Sequence, residues 1–222
     1  MTLDALELQT GDSPRASVIV LHGLGADGND FVPIVSELDL ESIGAVRFVF
    51  PHAPVRPVTI NGGYPMRAWY DVLTSDFVRR EDEAGLRESG DAILALIDRE
   101  IERGIEAERI VLMGFSQGGA MTLLAGRRAG KRLAGLGVLS AYLPLAEATA
   151  AERSPANQDV PIFQAHGRFD PIVVFERGTS SRDTLTALGY SVEWHEYRME
   201  HSVCPEEIVD LNHWLLRVLA RT

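Results

Sequence analysis

Short apolar runs alternate with longer amphipathic segments along the whole chain, and this alternation restricts the folds that the chain can adopt. Most of the runs are nearly continuous in apolar residues, which is typical of parallel strands buried on both faces of a sheet. The predicted strands are 16–22, 45–51, 109–115, 135–141, 160–167 and 191–197. The segment LDALELQ (3–9) is predicted to be an additional strand at a sheet edge.

Amphipathic segments between these runs carry the start and stop signals of helices. Gly104, Gly130 and Gly189 follow three of the segments, and Pro205 begins the fourth. The predicted helices are 84–103, 117–129, 173–188 and 205–220. Strands that alternate with helices predict an α/β fold with a mostly parallel sheet, and 222 residues suit a single domain over 1–222.

Two segments do not fit the alternation, namely 51–82 and 141–159. The first would be a loop of roughly thirty residues, far longer than ordinary connections. Both segments leave from the carboxyl end of a predicted strand, where open α/β sheets bind their ligands. Either they contain elements that the pattern does not reveal, or they take part in function.

Composition and charge exclude several classes of partner. The net charge of −11 disfavours nucleic acid and anionic membrane surfaces as partners. The apolar runs are far too short to cross a bilayer, so we expect no stable membrane insertion. The first fifteen residues lack the apolar core of an export signal, and Cys204 is the only cysteine, so we expect a cytoplasmic protein.

One serine stands among three glycines in MGFSQGGA (113–120), between a predicted strand and a predicted helix. The segment GFSQG (114–118) fits the pattern G-x-S-x-G, in which the serine lies on a strained turn and exposes its hydroxyl. The glycines remove side chains that would collide there, and the helix N-terminus favours a developing oxyanion. We predict that Ser116 is a nucleophile; the alternative is a glycine-rich turn with a helix-capping serine.

A nucleophilic serine needs a histidine as base and a carboxylate that orients it, in the chain order Ser, Asp or Glu, His. Of the histidines after Ser116, His166 and His195 lie in predicted strands and His213 lies on the last helix. His201 lies in the loop between the last strand and the last helix, which makes it the predicted base.

The predicted acid is Asp170, which follows the strand 160–167 directly at the required end of the sheet. Asp159 precedes that strand, and Asp183 lies within a helix. Because Pro171 suits the first turn of a helix, Asp170 as a helix N-cap is the alternative.

An oxyanion hole needs two N–H donors. The residue after the nucleophile, Gln117, is predicted to supply one, and Leu24 in the glycine-containing loop LHGLGADGND (21–30) the other. A phosphate-binding loop is the alternative, but the glycine spacing of nucleotide-binding loops is absent. No metal-ligand spacing occurs in the sequence, so we expect neither a metal nor a cofactor. Cys204 lacks glycine neighbours and is predicted to be a small packing residue rather than a nucleophile.

Four separated segments, LHGLGADGND, GFSQGGAM, HGRFDPIV and MEHSVCPEE, together resemble the phospholipase/carboxylesterase family of small serine hydrolases. This family includes bacterial carboxylesterases and acyl-protein thioesterases, and the resemblance spans nearly the whole chain. It implies an α/β-hydrolase fold with a mostly parallel central sheet, helices on both faces and no separate cap domain. It also implies the triad Ser116, Asp170 and His201, with the N–H groups of Leu24 and Gln117 as oxyanion hole.

The resemblance further implies the substrate site and the reaction. Matches to two family segments, WYD (69–71) and LSAYLP (139–144), make Trp69, Leu73, Tyr142 and Ile172 candidates for the acyl-site lining; ordinary core packing is the alternative for each. The implied function is a serine carboxylesterase acting on small-molecule esters of short to medium chain length. A homodimer is compatible with the family.

Two points leave the function open at this stage. Many relatives have glycine before the catalytic histidine where this chain has Glu200, a carboxylate that could change substrate preference. The alternatives are a lysophospholipase or an acyl-protein thioesterase on the same triad and, in another class, a non-catalytic ligand-binding protein with the hydrolase fold.

Overall fold

The computed structural model describes residues 3–74 and 81–220. Within these residues it contains nine strands: β1 Ala5–Gln9, β2 Ala16–Leu21, β3 Val46–Pro51, β4 Val55–Val58, β5 Tyr64–Arg67, β6 Ile110–Phe115, β7 Gly135–Leu139, β8 Ile162–Gly167 and β9 Val192–Tyr197. The α-helices of the same residues are α1 Ile34–Glu37, α2 Glu83–Glu102, α3 Gln117–Gly126, α4 Thr149–Glu152, α5 Phe175–Ala187 and α6 Pro205–Leu219.

Seven of the strands form one sheet in the order β1-β3-β2-β6-β7-β8-β9. β1 runs antiparallel to β3 at one edge, and all other neighbours are parallel. The six strands predicted from the apolar runs and the additional edge strand β1 are therefore confirmed, with β9 at the opposite edge. Because the parallel strands share one direction, the ends of β2, β6, β7, β8 and β9 meet at one carboxyl edge.

Helices cover both faces of the sheet, as expected. On one face, α2, α3 and α5 cover apolar side chains from alternate residues of the strands, among them Ile19 and Leu112. On the other face, α1 and α6 pack against Val18, Val111 and their neighbours. Strands buried on both faces explain the continuous apolar runs in the sequence. In the described part of the chain, no helix has both the length and the apolar character needed to cross a membrane.

The segment 51–82 differs from the loop that the sequence suggests, because β4 and β5 form an antiparallel hairpin within it. Each strand has only four residues, two of them exposed, so the strand is too short for an apolar alternation to mark it. Pro57 and Pro65 also argue against strands, although proline is tolerated at the edges of a small hairpin. Residues 75–80 of this segment lie outside the described residues.

The segment 141–159 is likewise not structureless: it contains α4 and 3₁₀ turns at Ala146–Ala148 and Pro155–Asn157. These elements and the β4–β5 hairpin lie in the two segments that leave from the carboxyl edge of the sheet. Within residues 3–74 and 81–220, none of them forms a separate cap domain.

Candidate active site

Ser116 occupies a sharp turn at the carboxyl edge, between the end of β6 and the start of α3. Its backbone has φ 55° and ψ −119°, a region that residues with a side chain rarely adopt. Two hydrogen bonds hold it there: the Ser116 N–H donates to the Leu139 carbonyl at 2.9 Å, and the Ala120 N–H donates to the Ser116 carbonyl at 3.0 Å. The strained turn predicted from the glycine pattern is thus present in the structure.

The glycines around Ser116 are required by close contacts rather than by their own backbone angles. A Cβ atom at Gly118 would lie 2.1 Å from the Leu21 carbonyl oxygen, and one at Gly114 would lie 2.5 Å from the Gly118 backbone. At Gly119 the added atom would lie 2.6 Å from the Ala141 Cβ. The turn can therefore pack between the ends of β2 and β7 only if these positions carry no side chain.

Three side chains from separate loops form one hydrogen-bonded chain. The Ser116 Oγ lies 2.8 Å from Nε2 of His201, in the loop after β9. Nδ1 of His201 lies 2.7 Å from Oδ2 of Asp170, in the turn after β8. Since the carboxylate can only accept, the Nδ1 proton points to Asp170, and Nε2 is left to accept the serine proton. The structure therefore brings together the nucleophile, base and acid predicted from the sequence.

Asp170 is buried, and backbone donors hold it in its charged form. Its Oδ1 accepts hydrogen bonds from the N–H groups of Ile172 at 2.8 Å and Val173 at 2.9 Å. Burial would raise the pKa of this carboxyl, but the hydrogen bonds from His201 and from the two N–H groups outweigh burial and lower it. The N-cap of α5 is Val174, so Asp170 closes the preceding turn and does not cap the helix.

The loop after β2 lies against the Ser116 turn. A Cβ atom at Gly23 would lie 3.5 Å from the Ser116 Cβ, so the residue before Leu24 is in close contact with the serine. Within the described residues, neither the Leu24 N–H nor the Gln117 N–H donates a hydrogen bond to the protein. Both donors are therefore available to a substrate oxygen, as an oxyanion hole requires.

His22 fixes the conformation of this loop. Its Nδ1–H donates to the Gly23 carbonyl at 2.7 Å, while its Nε2 accepts from the Ala53 N–H at 3.0 Å. Burial lowers the pKa of His22, which keeps the imidazole neutral and able to make both bonds.

With this geometry established, comparison with known proteins gives the family. The model of the phospholipase/carboxylesterase family matches residues 5–219. The chain belongs to this family. The family and its fold make the protein an α/β-hydrolase and a hydrolase of the esterase or thioesterase type.

Relatives of similar length support the assignment to the phospholipase/carboxylesterase family. Acyl-protein thioesterase 1 of Mycosarcoma maydis is 43% identical over 228 residues, covering 95% of this chain and 94% of that protein. The crystal structure of Arabidopsis thaliana SOBER1 superposes with a TM-score of 0.87 at 33% identity and covers 92% of this chain and 99% of that chain. Acyl-protein thioesterase 2 of Zea mays has the same TM-score at 27% identity, covering 98% of this chain and 99% of that chain.

The side chain of Gln117 has a role that the sequence analysis missed. Its Oε1 accepts from the Trp69 N–H, and its Nε2 donates to the Tyr70 carbonyl, both at 2.8 Å. The indole N–H of Trp69 donates to the His22 carbonyl at 2.9 Å. A buried amide needs hydrogen-bond partners, so a glutamine directly after the predicted nucleophile was the sequence signal for these contacts. The Gln117 side chain connects the segment 51–82 to the Ser116 turn.

The predicted acyl-site residues lie in different environments. Trp69 is fully buried, and Tyr142 is nearly so, with its hydroxyl 2.8 Å from that of Tyr70. Leu73 is half-buried, whereas Ile172 is 55% exposed beside the Asp170 turn. Buried Trp69 and Tyr142 offer almost no surface to a ligand in this conformation, and acyl binding by the four residues stays a prediction.

The remaining candidates do not join the hydrogen-bonded chain. His195 pairs with Glu193 at 3.1 Å, and His213 lies on α6. Burial raises the pKa of the Cys204 thiol, which keeps it protonated and a poor nucleophile. Glu200 is exposed, and its carbonyl accepts a hydrogen bond from the Ser202 N–H at 3.0 Å.

Proposed function

We propose that the protein is a serine carboxylesterase that hydrolyses short- to medium-chain carboxylic esters through an acyl-enzyme on Ser116. The observation that carries the proposal is the continuous hydrogen-bonded chain from Asp170 through His201 to Ser116. Nδ1 and Nε2 of one imidazole are occupied by the carboxylate and the serine, which is the arrangement that activates a weak nucleophile.

The first half of the reaction forms the acyl-enzyme. His201 Nε2 takes the Ser116 proton as Oγ attacks the ester carbonyl carbon. Asp170 keeps the imidazole in the required tautomer and stabilises the imidazolium that forms. The tetrahedral intermediate then collapses, and His201 gives the proton to the leaving alcohol oxygen.

In the second half, water replaces the alcohol. His201 removes a proton from the water, which attacks the acyl-enzyme, and the proton returns to Ser116 when the carboxylic acid leaves. Both tetrahedral intermediates carry an oxyanion, for which the N–H groups of Leu24 and Gln117 and the N-terminus of α3 are the donors. The loss of one such donor typically costs about 3–4 kcal/mol of transition-state stabilisation.

A second candidate is an acyl-protein thioesterase. It is favoured by the identity of 35–43% to proteins named acyl-protein thioesterase 1. The same residues serve both reactions, because a thioester differs in its leaving group, and a thiol needs protonation by His201 less than an alcohol does. The two candidates therefore differ in the substrate rather than in the catalytic groups.

The test compares esters and thioesters of equal acyl length in the wild type and in Ser116→Ala. p-Nitrophenyl esters from acetate to palmitate give the chain-length profile, and S-acylated cysteine peptides with the same acyl groups give the thioester profile. A peak at short or medium esters supports the carboxylesterase, whereas higher kcat/KM for long-chain S-acyl peptides supports the thioesterase. Hydrolysis that peaks with long-chain lysophospholipids would instead support the lysophospholipase.

Ser140→Ala is the matched control, because Ser140 is buried at the same edge and also has a positive φ of 47°. We expect Ser116→Ala to abolish turnover and fluorophosphonate labelling, and Ser140→Ala to retain both. A folded wild type that neither turns over these substrates nor reacts with the probe would favour the non-catalytic binding protein.

A further inference from the structure

One buried imidazole beside the triad has no part in the reaction described above. His166 is fully buried in β8, four residues before Asp170. The distance between His166 Nε2 and Asp170 Oδ2 is 3.6 Å, so the carboxylate oxygen that receives His201 also faces a second histidine.

His166 is bonded to the backbone of the turn that carries Asp170. Its Nε2–H donates to the Val173 carbonyl at 2.7 Å. The N–H group of the same Val173 donates to Asp170 Oδ1 at 2.9 Å. The carbonyl of Val173 thus bonds to His166 and its N–H group bonds to Asp170, so Val173 links the two side chains.

The charge and tautomer of His166 follow from these contacts. A carbonyl can only accept, so the proton lies on Nε2, and Nδ1 is buried without a hydrogen-bond partner among the described residues. Burial lowers the pKa of His166 and keeps the ring neutral. A neutral ring does not compete with the His201 imidazolium for the charge of Asp170.

The His166 ring packs closely against three neighbouring residues. A Cβ atom at Gly178 would lie 2.4 Å from its Nδ1, so the first turns of α5 pack directly on the ring. The ring also stacks on Trp194, with centroids 6.3 Å apart, and meets the edge of Phe175 at 6.1 Å. A ring confined by these contacts can fix the group to which it donates.

We propose that His166 is a positioning residue for catalysis: its Nε2–H holds the Val173 carbonyl and thereby the turn that presents Asp170 to His201. The inference rests on the proposed function, because it assigns to His166 the orientation of the same triad. His166 itself touches neither the substrate nor the reacting atoms.

A matched pair of amide variants tests the donor. In His166→Gln the side-chain N–H₂ can reach the position of Nε2, whereas in His166→Asn the same group is too short. We expect His166→Asn to lower kcat for p-nitrophenyl butyrate about 10- to 100-fold with KM unchanged, the range found for groups that orient metal-binding histidines. His166→Gln should retain kcat within about threefold. A folded Asn variant with the kcat of the wild type, or a folded Gln variant as impaired as Asn, overturns the proposal.

A double-mutant cycle separates positioning from a general structural effect. In an Asp170→Asn background the orientation of residue 170 no longer matters, so adding His166→Asn should change kcat less than twofold. An equal factor in both backgrounds would show that His166 only supports the fold. If His166→Asn does not fold, His166→Phe replaces it, because its ring keeps the contacts with Trp194 and Phe175 but has no donor.

Two controls complete the experiment. His195→Asn removes a histidine from the neighbouring strand, which stacks on Phe163 but does not contact the triad, and it should retain kcat. Ser116→Ala, measured in the same assay, distinguishes a failure of the proposed function from a failure of the positioning role of His166. Activity that survives in Ser116→Ala contradicts the proposed function, whereas an inactive Ser116→Ala beside a fully active His166→Asn contradicts only the role of His166.

Discussion

Two buried carboxyl groups on either side of His201 in the sequence meet different environments. Asp170, in the turn after β8, accepts hydrogen bonds from His201 and from two backbone N–H groups. Glu207, in the first turn of α6, is fully buried, and neither of its oxygens accepts a hydrogen bond of good geometry from the residues that the structure describes. Burial raises the pKa of Glu207 to about 8, against a smaller opposing effect of the Cys204 N–H.

The number of donors, and not the depth of burial, therefore decides the charge of each group. Burial disfavours both carboxylates, but three donors reverse its effect at Asp170 and none does so at Glu207. At neutral pH the first is an anion that can stabilise the His201 cation, and the second is mostly a neutral acid that can only pack. This difference predicts opposite responses to substitution and to pH.

The largest expected difference is in kcat, when the carboxyl group is replaced by an amide at each of the two positions. Asp170→Asn should lower kcat by about 10⁴-fold, because the amide can donate to His201 and favour the wrong tautomer. Glu207→Gln should leave kcat within about threefold, since no reacting group contacts it. Steady-state hydrolysis of p-nitrophenyl butyrate measures both, and similar losses in the two variants would break the comparison.

The next largest effect is the pH dependence of stability at Glu207. Its pKa is raised from 4.5 in the unfolded chain to about 8, so its contribution is fully present below pH 4.5 and is lost as pH rises toward 8. Glu207→Gln has no charge to bury. We expect it to unfold at a temperature about 10–20 °C above that of the wild type at pH 8.5, an effect on the order of 5 kcal/mol.

Thermal denaturation followed by circular dichroism at pH 5 and pH 8.5 tests this prediction. The two proteins should differ much less at pH 5, where the folded carboxyl is protonated and the pH lies only slightly above the pKa of 4.5 in the unfolded chain. A difference of equal size at both pH values would contradict a raised pKa at Glu207.

A smaller effect of opposite sign is expected at Asp170. Its pKa is lowered from 3.8, so its contribution to stability is present above that value and is lost as pH falls below it. At pH 7, Asp170→Asn should be less stable by about 1–2 kcal/mol, the usual size for hydrogen bonds to a charged group. Urea unfolding at pH 7 and pH 3 should show this difference shrinking in acid, and a difference that grows in acid would refute it.

The smallest effect concerns the start of α6. Cys204 is the N-cap of this helix, and its side chain makes no capping hydrogen bond. Serine is a preferred N-cap, because its hydroxyl can accept a hydrogen bond from a backbone N–H of the first turn. Cys204→Ser should therefore increase the free energy of unfolding by about 0.5–1 kcal/mol. Urea unfolding at pH 7 measures it, with Cys204→Ala as the control that lacks a capping oxygen.

Much of the fold and of the candidate site could be predicted because the patterns that indicate them lie in residues close together in the sequence. The apolar runs of β2, β6 and β8 show which strands are buried on both faces, and chain order places Ser116, Asp170 and His201 directly after β6, β8 and β9. The hairpin of β4 and β5 could not be predicted in this way. Its strands are short, exposed and interrupted by proline, so they lack the alternation by which strands are recognised.

The sequence by itself determined the sheet, the strained turn at Ser116 and the loops that bear the triad, because each depends on local pattern and on glycine spacing. Tertiary structure decided which buried polar groups are paired. The amide of Gln117 meets Trp69, and His166 meets Val173, but Glu207 meets no good donor. Such pairs depend on how the strands, turns and helices pack together, and the protonation state of each buried group follows from those contacts.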